Sequence, residues 1–298
     1  MTSTETASPR YAGIDEWPSA ELTTAIVEAQ FSAVAAVQAV SGAIARAVDL
    51  AAMRLGPGSG RLVYIGAGTS GRIATQDCVE LRPTFNWPDA RTLVLMAGGS
   101  GAFLRAHEGA EDSEADAISV LEAAAVGPND VVLGVAASGG TPFTCAGLRH
   151  ARAAGALTIG FFNNPGAALG EVAELPVLLA TGAEFPAGST RMKAGSAQKV
   201  ALNAFSTALM VRLGFVYKGL MVEMKPTNAK LRIRAQGMVA TLAGSTPEAA
   251  LVALDAAGGS IKLATLMLAR GLSRAKAEAA LQAAAGQLGA AMAATAAR

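Results

Sequence analysis

Two short apolar runs, residues 62–65 and 131–135, each lead into a loop of glycine and hydroxyl residues and then into a helix-compatible segment. The first loop reads Gly66-Ala67-Gly68-Thr69-Ser70-Gly71-Arg72 and the second Ala136-Ala137-Ser138-Gly139-Gly140-Thr141-Pro142. Glycine lets a backbone turn sharply and approach a ligand, and the first N–H groups of a helix point partial positive charge at whatever sits there. Each unit is therefore suited to an anion. Thr69, Ser70, Ser138 and Thr141 add neutral donors, so a phosphate monoester could be held without a cluster of lysines.

The rest of the chain continues the alternation. Helical composition over 20–55 stops at Gly56-Pro57-Gly58-Ser59-Gly60. Strands are expected at 62–65, 92–96, 131–135, 157–162 and 177–180. Helices are expected near 70–79, from Ala102, around 115–125, at 142–153 and from Lys193 to Leu213. This pattern predicts an α/β fold, a three-layer αβα sandwich around a mainly parallel five-stranded sheet. Ligands in such sheets bind beyond the carboxyl ends of the strands, where both loops fall. Beyond Asn228 only helical segments follow, one starting at Thr246-Pro247-Glu248 and another at Ser273. The expected organisation is an N-terminal tail and helix over 1–51, an α/β domain over 52–217 and a small helical bundle within 218–298.

Gly66, Gly68 and Gly71 also match the dinucleotide pattern G-x-G-x-x-G. That fold wants an acid after the next strand to take the ribose hydroxyl. Strand 92–96 runs instead into Ala97-Gly98-Gly99-Ser100. Neither loop has the Gly-Lys-Ser/Thr ending of a P-loop. The net charge of +1 supplies no field for nucleic acid. Cys78 and Cys145 are too few for a disulfide framework or a cysteine zinc site, and His107 and His150 fit no metal-ligand pattern. The first 17 residues lack the apolar core of a secretory signal, and no uninterrupted apolar stretch has the length of a membrane span. The cytoplasm is the expected location, with no membrane partner.

Two groups of carboxylates accompany the loops. Asp77 and Glu80 follow the first, before Leu81-Arg82-Pro83, where the proline is expected to end the helix. His107-Glu108-Gly109-Ala110-Glu111-Asp112 follows the second strand. Paired acids in unlike environments can divide the roles of acid and base. A further block, Glu184 to Lys199, gathers Ser189, Thr190, Arg191, Lys193 and Ser196 at a helix start.

The runs IGAGTSGR (65–72), EGAEDS (108–113), AASGGTP (136–142), GSTRMKAGSAQK (188–199) and TNAKLRIRA (227–235) resemble the N-acetylmuramic acid 6-phosphate etherases of the sugar isomerase (SIS) superfamily. The resemblance extends from about Gly13 to the C-terminal helices. It implies the SIS fold and a carbon–oxygen lyase of cell-wall recycling, which releases D-lactate from a phosphorylated amino sugar. It implies Glu80 and Glu111 as the catalytic pair, Glu80 as proton donor and Glu111 as base. Gly68, Thr69, Ser70, Ser138, Thr141, Glu184, Ser189, Thr190 and Lys193 would hold the sugar phosphate. It calls for no metal or other cofactor, and SIS relatives commonly form homodimers in which Lys230 and Arg232 could reach a neighbour's site.

Two positions depart from that family's pattern. Gly140 stands where an arginine is usual, and Leu81-Arg82-Pro83 where two prolines and a cysteine are usual. A non-catalytic SIS sugar-phosphate sensor and a sugar-phosphate isomerase share the fold and the loops. The sensor needs no proton-transfer pair, and the isomerase does not call for the block at 188–199.

Overall fold

The computed structural model describes residues 2–56, 58–105 and 107–296. Pro57, in the expected break after the first helical stretch, lies outside the described residues, as do Met1, Ala106, Ala297 and Arg298. The chain divides into two compact units, Met1–Val79 with Asp89–Ala208, and Glu80–Pro88 with Leu209–Arg298.

The first unit is built on five strands: β1 Leu62–Gly66, β2 Thr92–Met96, β3 Val131–Ala136, β4 Leu157–Phe162 and β5 Leu175–Leu178. All are parallel and lie in the order β2-β1-β3-β4-β5. Every residue of β1, β3 and β4 is buried, as strands covered on both faces must be. The edge strand β5 starts two residues earlier than expected and admits Pro176, which an interior strand would exclude.

Alternate residues face alternate layers. On one face Ile65, Gly134 and Gly160 are in register, and the missing side chains make room for helices. A Cβ on Gly134 would stand 2.6 Å from Leu148 of α5 (Pro142–Ala153), and one on Gly160 2.9 Å from Ala173, just past α6 (Ala168–Val172). On the other face the Tyr64 hydroxyl donates to Asp77 of α3 (Gly68–Phe85) at 2.8 Å, and Phe161 meets Phe205 of α7 (Lys193–Arg212) edge to face. This is the expected three-layer sandwich.

Several local expectations change. The first helical stretch is two helices, α1 Ser19–Ala39 and α2 Ser41–Leu55, broken at Val40. α1 is long and apolar enough to cross a bilayer by length and composition alone, because its alanines raise its hydropathy without a continuous run of large apolar residues. No helix starts at Ala102: a 3-10 turn spans Ser100–Phe103, another spans Ala110–Asp112, and α4 follows at Glu114–Ala123. Glycines 98, 99 and 101 keep this segment from continuing as a helix. Pro83 does not end α3, which runs to Phe85 and closes at Asn86 in a left-handed conformation, φ +57°. Proline removes one hydrogen bond, to the carbonyl of Val79, a residue 59% exposed, so solvent can reach that turn.

The second unit contains an unanticipated hairpin, β6 Val216–Tyr217 and β7 Leu220–Met221, turned through Lys218 and Gly219, both at positive φ. Five helices follow: α8 Ala229–Ala243, α9 Pro247–Ala256, α10 Ile261–Arg270, α11 Arg274–Ala283 and α12 Leu288–Ala294. Side chains of Asn228, Thr246, Ser260 and Ser273 cap the first four. Their apolar faces close a core around Met238, Val239, Leu254, Leu263 and Leu266.

Candidate functional site

The strand order reverses direction between β1 and β3, which opens a crevice at their carboxyl ends. The two glycine–hydroxyl loops leave the sheet at that place. The first turns through Gly68, φ +53°, directly into α3, and a Cβ on Gly71 would lie 2.9 Å from both the carbonyl carbon and oxygen of Gly66. Gly71 therefore lets the helix press its amino end against the strand. In the second, Gly139 turns at φ +70°, where a Cβ would meet that of Ala167 at 2.5 Å.

Ser70 joins the loops. Its hydroxyl is buried and accepts a hydrogen bond from the Ala137 N–H at 3.2 Å. The Ser138 hydroxyl is exposed, accepts from the Gly140 N–H at 3.2 Å and lies 3.4 Å from that of Thr141 at the head of α5. Around Gly140 the space is open, with no atom within 4 Å of where its Cβ would stand. Gly195 of α7 brings the third block alongside: a Cβ there would be 3.3 Å from the Thr190 carbonyl and 3.8 Å from Thr69 Cγ2. Thr69 and Thr190 thus border one small residue, with Ser189 adjacent in the turn before α7.

Glu184 and Lys193, expected to help hold the sugar phosphate, are both buried at the start of α7. Glu184 is 1% exposed, and its two carboxylate oxygens accept the N–H groups of Lys193 at 2.9 Å and Ala194 at 2.7 Å. The Lys193 ammonium is buried and donates to the Thr181 carbonyl at 3.1 Å. Burial lowers its pKa, with Glu184 opposing the shift. The Glu184 carboxylate serves the start of α7, because a buried helix end must find partners for its free N–H groups.

The carboxylates separate by environment. Asp77 is buried, accepting from Tyr64, from the Asn203 amide at 2.8 Å and from the Ser206 hydroxyl at 3.0 Å. Burial raises its pKa, against those hydrogen bonds and the charge of Lys199. It ties β1, α3 and α7 together. Glu80 belongs to the second unit and is exposed on α3. Glu111 is exposed in the 3-10 turn of the first unit, its Oε2 4.0 Å from where a Cβ on Gly68 would stand, at the amino end of α3.

A cavity of about 210 Å³ lies beneath Glu111, lined among others by Gly68, Arg72, Met96, His107 and Glu108. Nothing in the linear sequence marks Arg72 or His107 as a site residue. Arg72 stands one turn after Gly68, so a helix beginning at that glycine carries it to the same side. Within the second unit a cavity of about 520 Å³ is bordered by Lys225, Thr227, Arg232, Asp255 and Ser260, where Arg232 pairs with Asp255. Lys230 is exposed.

Among the described residues no group of three or more His, Cys, Asp or Glu side chains could hold a metal ion. Cys78 and Cys145 are buried free thiols. Burial and the nearby Asp77 push the Cys78 thiol up to about 12, far from thiolate chemistry.

Residues 43–152 match the model of the glucokinase regulatory protein N-terminal SIS domain. A phosphosugar isomerase candidate involved in capsule formation, from Bacteroides fragilis, shares the fold with a TM-score of 0.50 at 20% identity, over 66% of this chain and 94% of its own. An N-acetylmuramic acid 6-phosphate etherase of Deinococcus radiodurans is 49% identical over 283 residues, covering 95% of this chain and 92% of that protein. One from Rubrobacter xylanophilus is 44% identical over 269 residues, 90% of this chain and 89% of that protein. Identity at this level over nearly the whole of both chains sets the relationship: this chain belongs to the N-acetylmuramic acid 6-phosphate etherase family.

Proposed function

We propose that the chain is a carbon–oxygen lyase that cleaves the D-lactyl ether of N-acetylmuramic acid 6-phosphate, giving N-acetylglucosamine 6-phosphate and D-lactate. The observation that carries this reading is the near full-length identity to proteins named for that activity. The geometry at the β1 and β3 loops supports it. In the open-chain sugar the C1 aldehyde acidifies the C2 proton. Glu111, at the cavity beside Gly68, is the base that takes it. The electron pair forms the C2–C3 double bond, the C3–oxygen bond breaks, and Glu80 gives its proton to the departing lactyl oxygen. Water then adds, its hydroxyl to C3 and a proton to C2.

The phosphate is met by hydroxyl and amide groups of Gly68, Thr69, Ser70, Ser138, Thr141, Ser189 and Thr190. Ser70 spends an acceptor position on Ala137 but keeps its proton to donate. The chain acts in the cytoplasm on phosphorylated amino sugar from peptidoglycan recycling and works as a homodimer. An exposed apolar row on α1, Val27, Phe31 and Val34 at 62%, 72% and 56% exposure, supports the dimer, since these residues share one face of the helix.

The deciding experiment incubates purified protein with N-acetylmuramic acid 6-phosphate and measures D-lactate. Absence of lactate with sugar-phosphate binding retained overturns the lyase reading in favour of a sensor. Aldose–ketose conversion of a sugar phosphate without lactate favours an isomerase.

A further inference from the structure

Arg72 stands one turn into α3 and borders the cavity beside Glu111. Its Nε donates to the Ala102 carbonyl at 3.1 Å, which fixes the plane of the guanidinium and leaves both terminal nitrogens without a protein partner among the described residues. It forms no ion pair there, although Glu108 and Glu111 border the same cavity. No other lysine or arginine lines that cavity among the described residues.

We propose that Arg72 recognises the carboxylate of the lactyl group and so distinguishes the ether substrate from a sugar phosphate that lacks it. The inference rests on the lyase reading given above. A lactyl carboxylate entering beside Glu108 and Glu111 meets two like charges, and a tethered guanidinium is the group that offsets them. Two terminal nitrogens of one guanidinium match the two oxygens of a carboxylate. The phosphate is the other anion of the substrate, but it sits on C6 and is met by the hydroxyl-rich loops. The lactyl carboxylate hangs from C3, closer along the bonds to the C2 proton that Glu111 removes. A cation beside the base therefore faces the lactyl end. Arg72 is thus a specificity-determining residue rather than part of the phosphate cradle.

The test compares two ligands on the full chain, N-acetylmuramic acid 6-phosphate and N-acetylglucosamine 6-phosphate, which share the phosphate and differ in the lactyl group. Affinities are read by calorimetry in an Glu111→Gln background, which stops turnover, with and without Arg72→Gln. The expected result is a loss of about 10- to 100-fold for the lactyl-bearing sugar, with less than about 2-fold change for the other. Arg72→Lys recovers part of the loss, keeping the charge without the fork. Retained binding of N-acetylglucosamine 6-phosphate shows that the variant is folded. Equal losses for both sugars overturn the proposal and place Arg72 on the phosphate; no loss for either overturns it as well. D-lactate release by the unmodified chain is scored separately, so a protein that binds with this preference but releases nothing refutes the lyase reading and leaves carboxylate recognition standing.

Discussion

Gly71→Ala tests the idea that close packing of a helix against a strand sets the geometry of the β1 loop. The new methyl would clash with Met96 Sδ and lie 2.9 Å from the carbonyl carbon and oxygen of Gly66. The thioether can swing aside; the backbone of a fully buried strand cannot. Restoring ordinary contact with Gly66 moves the amino end of α3 by roughly 0.5 Å, an overpacking that costs about 1–3 kcal/mol. Alanine recovers at most about 1 kcal/mol through its better helix propensity, and less in a first turn. The net destabilisation is about 1–2 kcal/mol, a fall in Tm of about 2–3 °C for a chain of this size. The functional cost is larger, because Gly68, Ser70 and Arg72 all ride on the displaced turn. Misplacement on that scale costs up to about 100-fold in kcat/KM. Scanning calorimetry and D-lactate release report the two effects. Gly140→Ala is the internal control, with open space around it and no strained backbone, and should change neither. A Gly71→Ala protein with unchanged Tm and kcat/KM would falsify the packing argument.

Glu80→Gln and Glu111→Gln should each lower kcat by at least about 100-fold while sugar-phosphate binding, read by calorimetry, changes little; a variant with near-normal turnover removes that residue from the mechanism. Phe31→Glu should shift the protein from dimer to monomer in analytical ultracentrifugation, and an unchanged dimer would place the interface elsewhere. Asp130 receives hydrogen bonds from Arg61 Nη2 at 2.7 Å, Arg61 Nε at 3.2 Å and the backbone N–H groups of Arg61 and Gly127. Burial works against its charge, but these donors outweigh it and hold its pKa below the ordinary value of 3.8. The stabilisation is therefore present above that value and lost as pH falls through the lowered one. Asp130→Asn should cost about 2 kcal/mol at neutral pH and flatten the acid limb of a urea-unfolding series, while leaving the slope at alkaline pH unchanged.

The sheet was legible because its strands are short β-branched runs ended by glycine and hydroxyl loops, a pattern that few other structures produce. Thr246-Pro247-Glu248 and Ser273 announced their helices through capping chemistry that is local in sequence. The hairpin was missed because Lys218 occupies a left-handed position that asparagine or glycine usually marks. The length of α3 was missed because proline's preference was outweighed by burial of Leu81, Phe85 and Trp87 just around it. Thr69, Ser70 and Ser138 stand just past the carboxyl ends of β1 and β3, where the loop pattern puts them. What could not be read was direction: hydroxyls, amides and charges within 184–199 look alike in a linear string, whereas the folded chain turns Glu184 and Lys193 inward and leaves Ser189 and Thr190 half exposed. Arg72 was hidden for the opposite reason, since a lone arginine in a helix is ordinary until a cavity appears beside it.

The carboxylate of Glu184 gives the start of α7 a resident anion of its own. Two amides that would otherwise attract any passing phosphate are already saturated from within, and the neighbouring Lys193 ammonium donates to the Thr181 carbonyl. The start of α7 thereby offers those two amides to no outside anion. On the proposed function, a sugar phosphate meets donors at Ser189 and Thr190 but none at the Lys193 and Ala194 amides, which Glu184 already fills.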